Sequence, residues 1–211
     1  YIACQKGHIE IVKLLLNDNR VEINKADNYG ETPFHIACQE AQVEIVKLLS
    51  NDQRVDINKT SDYGETPFYI ACKKGHIEIV KLLLNDKRVD INEATPFFIA
   101  CYLGHIEIVK IFLACQREID INKKDNDGKT ALDWAREREK MEIDWETEEE
   151  FQKAKRNCPK IVELIESFLR KELGKILFIY KEISINQFII QKLNTMGNCT
   201  FYKQLPSHYQ N

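Results

Sequence analysis

Several things are scarce in this sequence. No apolar run approaches the roughly 18–20 residues that a helix needs to cross a bilayer, so a chain of membrane-spanning helices is not expected. An excess of one charge is lacking too: 30 Lys and Arg stand against 33 Asp and Glu, a net −3. That balance exerts no general pull on nucleic acid, and no nucleic-acid partner is expected. Cysteine is present but odd in number, at 7, in a chain of 211 residues that has no need of staples; a disulfide framework is not expected. Glycine and proline number only 8 and 5, and their placement turns out to matter more than their number. What the chain does hold is 44% hydrophobic and 30% charged residues, enough to bury a core and too apolar for wholesale disorder. It begins at Tyr1, and residues 1–4 already read as the middle of a helical pattern. The expectation is a piece of a longer protein, with no signal peptide in it, working in the cytoplasm.

The chain repeats itself. Gly7-His8-Ile9-Glu10-Ile11-Val12-Lys13 recurs from Gly75, from Gly104 and, altered, as Ala41-Gln42-Val43-Glu44-Ile45-Val46-Lys47. Gly30-Glu31-Thr32-Pro33-Phe34-His35-Ile36-Ala37-Cys38 recurs from Gly64, again as Thr95 to Cys101, and weakly from Gly128. The threonine-to-threonine steps are 34, 29 and 35 residues. A third block, of the form Val/Ile-Asp/Glu-Ile-Asn, ends at Asn24, Asn58, Asn92 and Asn122.

Each period has a physical reading. Thr32 is a good helix cap, and Pro33 fits the first helical turn, where its absent N–H costs nothing. Phe34 to Cys38 make a short apolar helix. A glycine such as Gly75 then permits the left-handed exit. Ile77 to Leu84 is too apolar for a lone surface helix and suits one sandwiched between neighbours. Val89-Asp90-Ile91-Asn92 leaves that helix extended, and sequences such as Asp27-Asn28-Tyr29-Gly30 have the composition of a hairpin tip.

On these blocks the chain resembles the ankyrin-repeat family: Thr32-Pro33-Phe34-His35-Ile36-Ala37 fits the signature T-P-L-H-x-A with Phe for Leu. The resemblance implies an all-α solenoid of stacked helix–turn–helix units with projecting β-hairpin loops and a groove that binds other proteins. The expected array covers residues 1–172, in units of about 1–28, 29–62, 63–93, 94–126 and 127–172, the last with an insertion at about 141–157. Residues 173–211 form an extension outside the repeat, for which two readings stand side by side: one helix at about 185–196 with irregular chain around it, or no fixed structure at all. The repeat asparagines match a position that is hydroxylated in some members of the family.

Departures from the repeat carry their own expectations. The first unit lacks its Thr-Pro opening, so its apolar edge should be bare or its first eight residues frayed. Ala41 stands where glycine is expected, which either strains the backbone or reshapes the helix end. Asn92 and Thr95 are 3 positions apart, where Asn24 and Thr32, Asn58 and Thr66, and Asn122 and Thr130 are each 8 apart. A link without a projecting finger is expected there. In the fifth unit Pro159 should open an amphipathic helix, with Arg136, Glu137, Arg138, Lys171 and Glu172 supplying a polar end face. Residues 175–211 carry Lys175, Lys181, Lys192 and Lys203 against Glu182, +3, which leaves −6 on the first 174. That basic, apolar tail is the one place where a membrane contact is conceivable.

No chemistry stands out. Cys4, Cys38, Cys72 and Cys101 share one register, on successive helices roughly 10 Å apart, too far for a disulfide or a shared zinc. They read as small apolar filler, and Cys115, Cys158 and Cys199 lack partners at metal spacing. His8, His76 and His105 follow the turn position and read as structural hydrogen-bonding groups. Gly128-Lys129-Thr130 lacks the upstream glycine of a phosphate loop, because position 123 is Lys. Glu146, Glu148, Glu149 and Glu150 lack the spacing of a calcium loop. No catalytic, cofactor or metal residues are assigned.

Function should sit where the repeat leaves residues free to vary. In the ankyrin pattern these are the hairpin tips and the end of the first helix. They are Asn28, Tyr29, Glu31, Gln39 and Glu40; Asp62, Tyr63, Glu65, Lys73 and Lys74; Tyr102 and Leu103; and Asn126, Asp127 and Lys129. Tyr29, Tyr63 and Tyr102 are the leading anchors, since tyrosine offers large area at low entropy cost. The expectation is a monomeric, non-catalytic module for a protein partner, with no small-molecule substrate. The alternative is the recognition arm of a larger enzyme, channel or ubiquitin-ligase-type adaptor.

Overall fold

A computed structural model of the chain describes residues 1–93, 95–115, 117–125, 127–140 and 148–195. It divides into two units, Tyr1–Ile165 and Glu166–Asn211. In the first, short helices alternate: α1 (Ile2–Gln5), α2 (Ile9–Leu16), α3 (Pro33–Gln39), α4 (Val43–Ser50), α5 (Pro67–Lys74), α6 (Ile77–Asn85), α7 (Pro96–Tyr102), α8 (Ile106–Ala114) and α9 (Ala131–Lys140). The long α10 (Glu148–Thr195) follows. The odd-numbered helices up to α9 stack in one row, and α2, α4, α6 and α8 stack in a second. Among the described residues there is no strand. The projecting loops are hairpin-like turns, each closed by a pair of backbone bonds: Asp27 N–H to Glu31 O and Gly30 N–H to Asp27 O at 3.0 and 3.2 Å, Ser61 N–H to Glu65 O and Gly64 N–H to Ser61 O at 2.9 and 2.9 Å, and Asp125 N–H to Lys129 O and Gly128 N–H to Asp125 O at 3.0 and 3.1 Å.

Local chemistry starts and stops these helices. The Thr32 and Thr66 hydroxyls accept the N–H of His35 and Tyr69 at 3.1 and 3.0 Å, each ahead of a proline in the first turn. Thr130 and Asp133 make a reciprocal capping pair. The first helices end in one recurring motif, in which His8, Gln42, His76 and His105 donate backbone N–H groups to Ala3, Ala37, Ala71 and Ala100. The residue before each donor is left-handed. Gly75 at φ +78° does this freely, whereas Ala41 keeps the same geometry at φ 56°. Of the two outcomes open at that position, the backbone takes the strain.

The described residues of the short link between Asn92 and Thr95 hold no closed turn. Instead the Asp90 carboxylate accepts the N–H groups of Asn92 and Glu93 at 2.9 and 3.1 Å. The shortened path leaves Thr95 at φ 54°, and its side chain makes no cap bond, unlike Thr32 and Thr66. Residues 1–8 include the ordered turn of α1, and Tyr1 donates to Glu31 across 3.1 Å. Pro159 does not open a helix; it lies inside α10. The run from Glu148 to Lys155 is rich in good helix formers with no glycine stop, so the helix begins upstream and the proline forgoes one backbone bond. Residues 141–147, within the expected insertion, and 196–211 lie outside the described residues. The stretch at 185–195 continues α10.

The units are joined by polar contacts that recur at every step. Gln42 Nε2 reaches Gln5 O at 3.1 Å, while Nε2 of His76 and of His105 meet Gln39 O and Lys73 O at 2.9 and 3.0 Å. Arg54 donates to Leu16 O at 2.7 Å, Arg88 to Ser50 O, and Arg117 to Leu84 O and Val89 O. Asn24, Asn58 and Asn92 each bridge forward, donating to the carbonyls of Arg54, Arg88 and Glu118 and accepting from Asp56, Asp90 and Asp120. Between these contacts lies the core: Phe34, Phe68 and Phe112 are 1% exposed, and Ile45, Ile79, Val46 and Val80 are fully covered. Each such side chain contributes about 1.5–3 kcal/mol over an exposed one. Cys4, Cys38, Cys72 and Cys101 are free and buried in that core, and burial pushes their thiols up and keeps them protonated.

His35 is fully buried, and neither ring nitrogen has a hydrogen-bond partner among the described residues. Burial pushes its pKa down, against the pull of the Glu31 and Glu65 carboxylates.

Two outcomes follow from this packing. Ala41→Gly should raise stability by about 1 kcal/mol, read as a higher urea midpoint, because it removes left-handed strain that Gly75 never incurs. The buried His35 must stay neutral, so on acidification the unfolded chain takes up its proton first. Stability should therefore fall as pH drops below about 6.5. His35→Tyr, which copies Tyr69, should flatten that fall in a pH series of thermal melts.

Candidate protein-binding face

The loop tips and the ends of the first helices are built on this frame. Asp27 organises the first tip: its Oδ1 accepts the N–H of Tyr29 and of Glu31, each at 2.9 Å. Asp125 does the same for Asp127 and Lys129. These N–H groups, with the Trp134 indole, hold the Asp125 carboxyl below the usual carboxylate range. The tips also touch each other. Asp62 N–H donates to Tyr29 O at 2.9 Å, which ties the second finger to the first. Gly30, at φ +75°, is pressed so closely that a Cβ there would lie 2.5 Å from Asp62 Oδ1. Tyr29 and Tyr63 are left 58% and 70% exposed, the largest apolar side chains bare on these tips.

The other expected residues fall in several settings. Asn28, Glu40, Asp62, Lys74 and Asp127 are exposed, and Glu31, Gln39, Glu65, Lys73, Tyr102, Leu103 and Lys129 are half-buried. Lys73 and Glu65 are paired at 2.6 Å, and the Lys73 ammonium lies 5.9 Å from the Tyr69 ring. Burial and the Glu65 charge push the Tyr69 hydroxyl up to about 12. Gln39 lends its carbonyl to the His76 contact, and its side chain reaches Glu40 at 3.3 Å. Leu103 is the residue that closes α7. Asn126 lies outside the described residues.

Of an aromatic cluster on α7 and α9 the expected list holds only Tyr102. Phe98 and Tyr102 stack at 6.1 Å, one turn apart on α7, and Trp134 of α9 meets both edge-on at 6.1 and 5.9 Å. Cations sit on its flanks: Arg138 lies 4.2 Å from the Tyr102 ring and Lys129 lies 4.4 Å from the Trp134 ring. Lys129 is also paired with Glu137 at 2.6 Å. The spacing of Phe98 and Tyr102 was a usable signal, since residues four apart share a helix face. Trp134 had none, because only stacking of α9 on α7 brings it there.

Chemistry is sparse on this surface. Among the described residues no three His, Cys, Asp or Glu side chains gather in a way that could hold a metal ion. No described helix is long and apolar enough to cross a membrane.

Helix pairs stacked on conserved internal contacts, with turn-closed fingers between them, define a repeat solenoid rather than a globule with one central site. Ankyrin-repeat models match three times, over residues 1–95, 44–125 and 85–143, and the chain belongs to the ankyrin-repeat family. The repeats of that family are generally protein-interaction modules and typically non-catalytic. No curated protein matches the chain significantly.

The contact between fingers is open to a direct check. Gly30→Ala should cost about 1–2 kcal/mol from the left-handed backbone alone and should also speed hydrogen exchange at Asp62. Gly64 has the same φ, but nothing lies within 4 Å of the added Cβ, so Gly64→Ala should cost less and leave its neighbours unchanged.

Proposed function

We propose that this chain is a non-catalytic docking module that grips a protein partner with its finger tips and the ends of its first helices. The observation that carries the reading is the pair Tyr29 and Tyr63, 58% and 70% exposed on tips held in register by the Asp62–Tyr29 bond. Large aromatic side chains on a preorganised backbone lose little entropy on binding and are the usual energetic anchors of an interface. Asn28, Glu31, Gln39, Glu40, Asp62, Glu65, Lys73 and Lys74 extend this surface along the second and third units. Tyr102, Leu103, Asp127 and Lys129 carry it on, with the Phe98–Tyr102–Trp134 cluster beside the link that has no finger. Mixed charge on this face favours a partner with both polar and aromatic contacts over a nucleic-acid strand.

The test is a triple substitution, Tyr29→Ala, Tyr63→Ala and Lys73→Ala, in affinity capture followed by mass spectrometry. The variant should keep its melting temperature within a few degrees and should lose captured partners at least tenfold. A partner retained in full by the folded variant would move the interface elsewhere.

A further inference from the structure

The second helices end in a loop that the chain nearly copies from unit to unit. Asn17-Asp18-Asn19-Arg20, Asn51-Asp52-Gln53-Arg54 and Asn85-Asp86-Lys87-Arg88 close α2, α4 and α6. In each, the aspartate holds the arginine two residues on, at 2.7, 2.6 and 2.6 Å. On the helices, Lys13, Lys47 and Lys110 each pair with the glutamate three residues before, at 2.7 Å. Between the third and fourth units this pattern fails at three points. Cys115 stands where the aspartates stand. Arg117 therefore has no such partner, and the carbonyls of Leu84, Asp86 and Val89 anchor it instead, at 3.4, 3.1 and 2.6 Å. Lys87 stands where Asn19 and Gln53 stand. Lys81 shares the register of Lys13, Lys47 and Lys110 but makes no pair with Glu78. Neither Lys81 nor Lys87 has a polar partner among the described residues.

The three departures meet in one place. An open cleft of about 740 Å³ between the ends of α6 and α8 is lined by Lys81, Lys87 and Arg117, with Cys115 beside them, and no carboxylate is among its lining residues. Leu84, Ile111 and Ala114 give it an apolar side. At the two earlier joints the equivalent lysine and arginine are each neutralised, Lys13 by Glu10 and Arg54 by Asp52, then Lys47 by Glu44 and Arg88 by Asp86. An adjoining hollow of about 420 Å³ shares Lys87 and Arg117 and carries Asp90 and Glu118, which bound the positive surface on that side. Asp90 is already engaged by the N–H groups of Asn92 and Glu93.

We propose that this cleft is a second binding site, and that it takes a short acidic peptide segment in which carboxylate side chains alternate with aliphatic ones. The carboxylates reach the exposed Lys81 and Lys87 ammonium groups, which have no other partner to give up. Arg117, fixed on its three carbonyls, adds its charge without having to move. The aliphatic side chains cover Leu84, Ile111 and Ala114, so that charge and apolar burial are recognised together. The volume is that of a site for a ligand of several residues rather than a single ion. A free phosphate would leave the apolar side unused, and a nucleic-acid strand finds no aromatic ring among the lining residues on which to stack its bases. The earlier joints would repel the same peptide, because Asp52 and Asp86 stand where Cys115 stands here. The site lies on the row of second helices, holds none of the finger-tip residues, and stands independently of the finger-tip face.

The probe is a fluorescein-labelled octapeptide of alternating Glu and Leu, titrated into the full chain by anisotropy. Binding should saturate, should weaken as salt rises, and should fall about tenfold when Lys81→Gln and Lys87→Gln are combined, the effect of losing two exposed ion pairs. Cys115→Asp should weaken binding several-fold at an unchanged melting temperature, because aspartate is the residue that the earlier units carry there. Lys47→Gln, at the preceding joint, should leave it unchanged. Saturating peptide should also slow alkylation of Cys115 by iodoacetamide, read by peptide mass spectrometry, since this is the described cysteine that is not buried. Equal binding by all variants, an unprotected Cys115, or no saturation would overturn the proposal. Equal affinity for a peptide with Ser in place of Leu, or full displacement by inorganic phosphate, would overturn it too, by showing that the cleft attracts any anion. Tighter binding of a single-stranded oligonucleotide at the same lysines would assign the cleft to nucleic acid instead.

Discussion

The repeated helices of this chain are seven to nine residues long from α2 to α8, and each ends in carbonyls that no N–H of its own helix reaches. Short helices of this kind are marginal alone. What holds them is the joint: a His or Gln from the next unit meets the end of the first helix, an arginine meets the end of the second, and an asparagine bridges the extended segments. The same step buries the isoleucine and leucine stripe of the second helices. The joint between neighbours therefore adds backbone satisfaction and apolar burial together, beyond what the caps and turns within one unit supply. Where glycine is replaced at Ala41, the joint still forms, and the local backbone takes the strain.

This division leaves the side chains at the finger tips out of the joints. The groups that stabilise the array point into the joints, so Tyr29 and Tyr63 have no structural duty beyond their backbone. Asp27 and Asp125 fold the first and last of these tips internally, and Asp62 N–H ties the second tip to the first. The fourth unit departs from this. Among the described residues its short link holds no closed turn, and α7 and α9 bring an aromatic cluster together.

The two ends of the described array differ in the same terms. At the first, Ile11 and Leu15 are 49% and 40% exposed. At the other, α10 takes over: Ala154 packs so close to Gly104 that a Cβ on the glycine would lie 2.6 Å from its Cα, and Asn157 donates to Gly104 O at 2.8 Å. Ile161 and Ile165 are 0% and 1% exposed and supply the apolar stripe that the earlier second helices supply. Beyond them, Leu173, Leu177, Phe178, Ile179, Ile183 and Ile185 of the second unit are exposed.

Sequence alone determined whatever is set by local chemistry and recurrence. Thr-Pro openings and the turn before each Gly-His block marked the helix ends, and the recurring blocks identified the family. The spacing between Asn92 and Thr95 announced a shortened link, and its described residues hold no closed turn. Tertiary structure alone decided matters that turn on distance between units. Pro159 looked like a helix start because proline favours first turns, but the charged run before it extends the helix past that point. The histidines of the Gly-His blocks read as hydrogen-bonding groups at the turn, yet the imidazoles of His76 and His105 work across the joint on the unit before each. Trp134 joined Phe98 and Tyr102 only through stacking of α9 on α7. Local propensity is written in neighbouring residues; a contact between units thirty residues apart depends on how the whole stack is assembled.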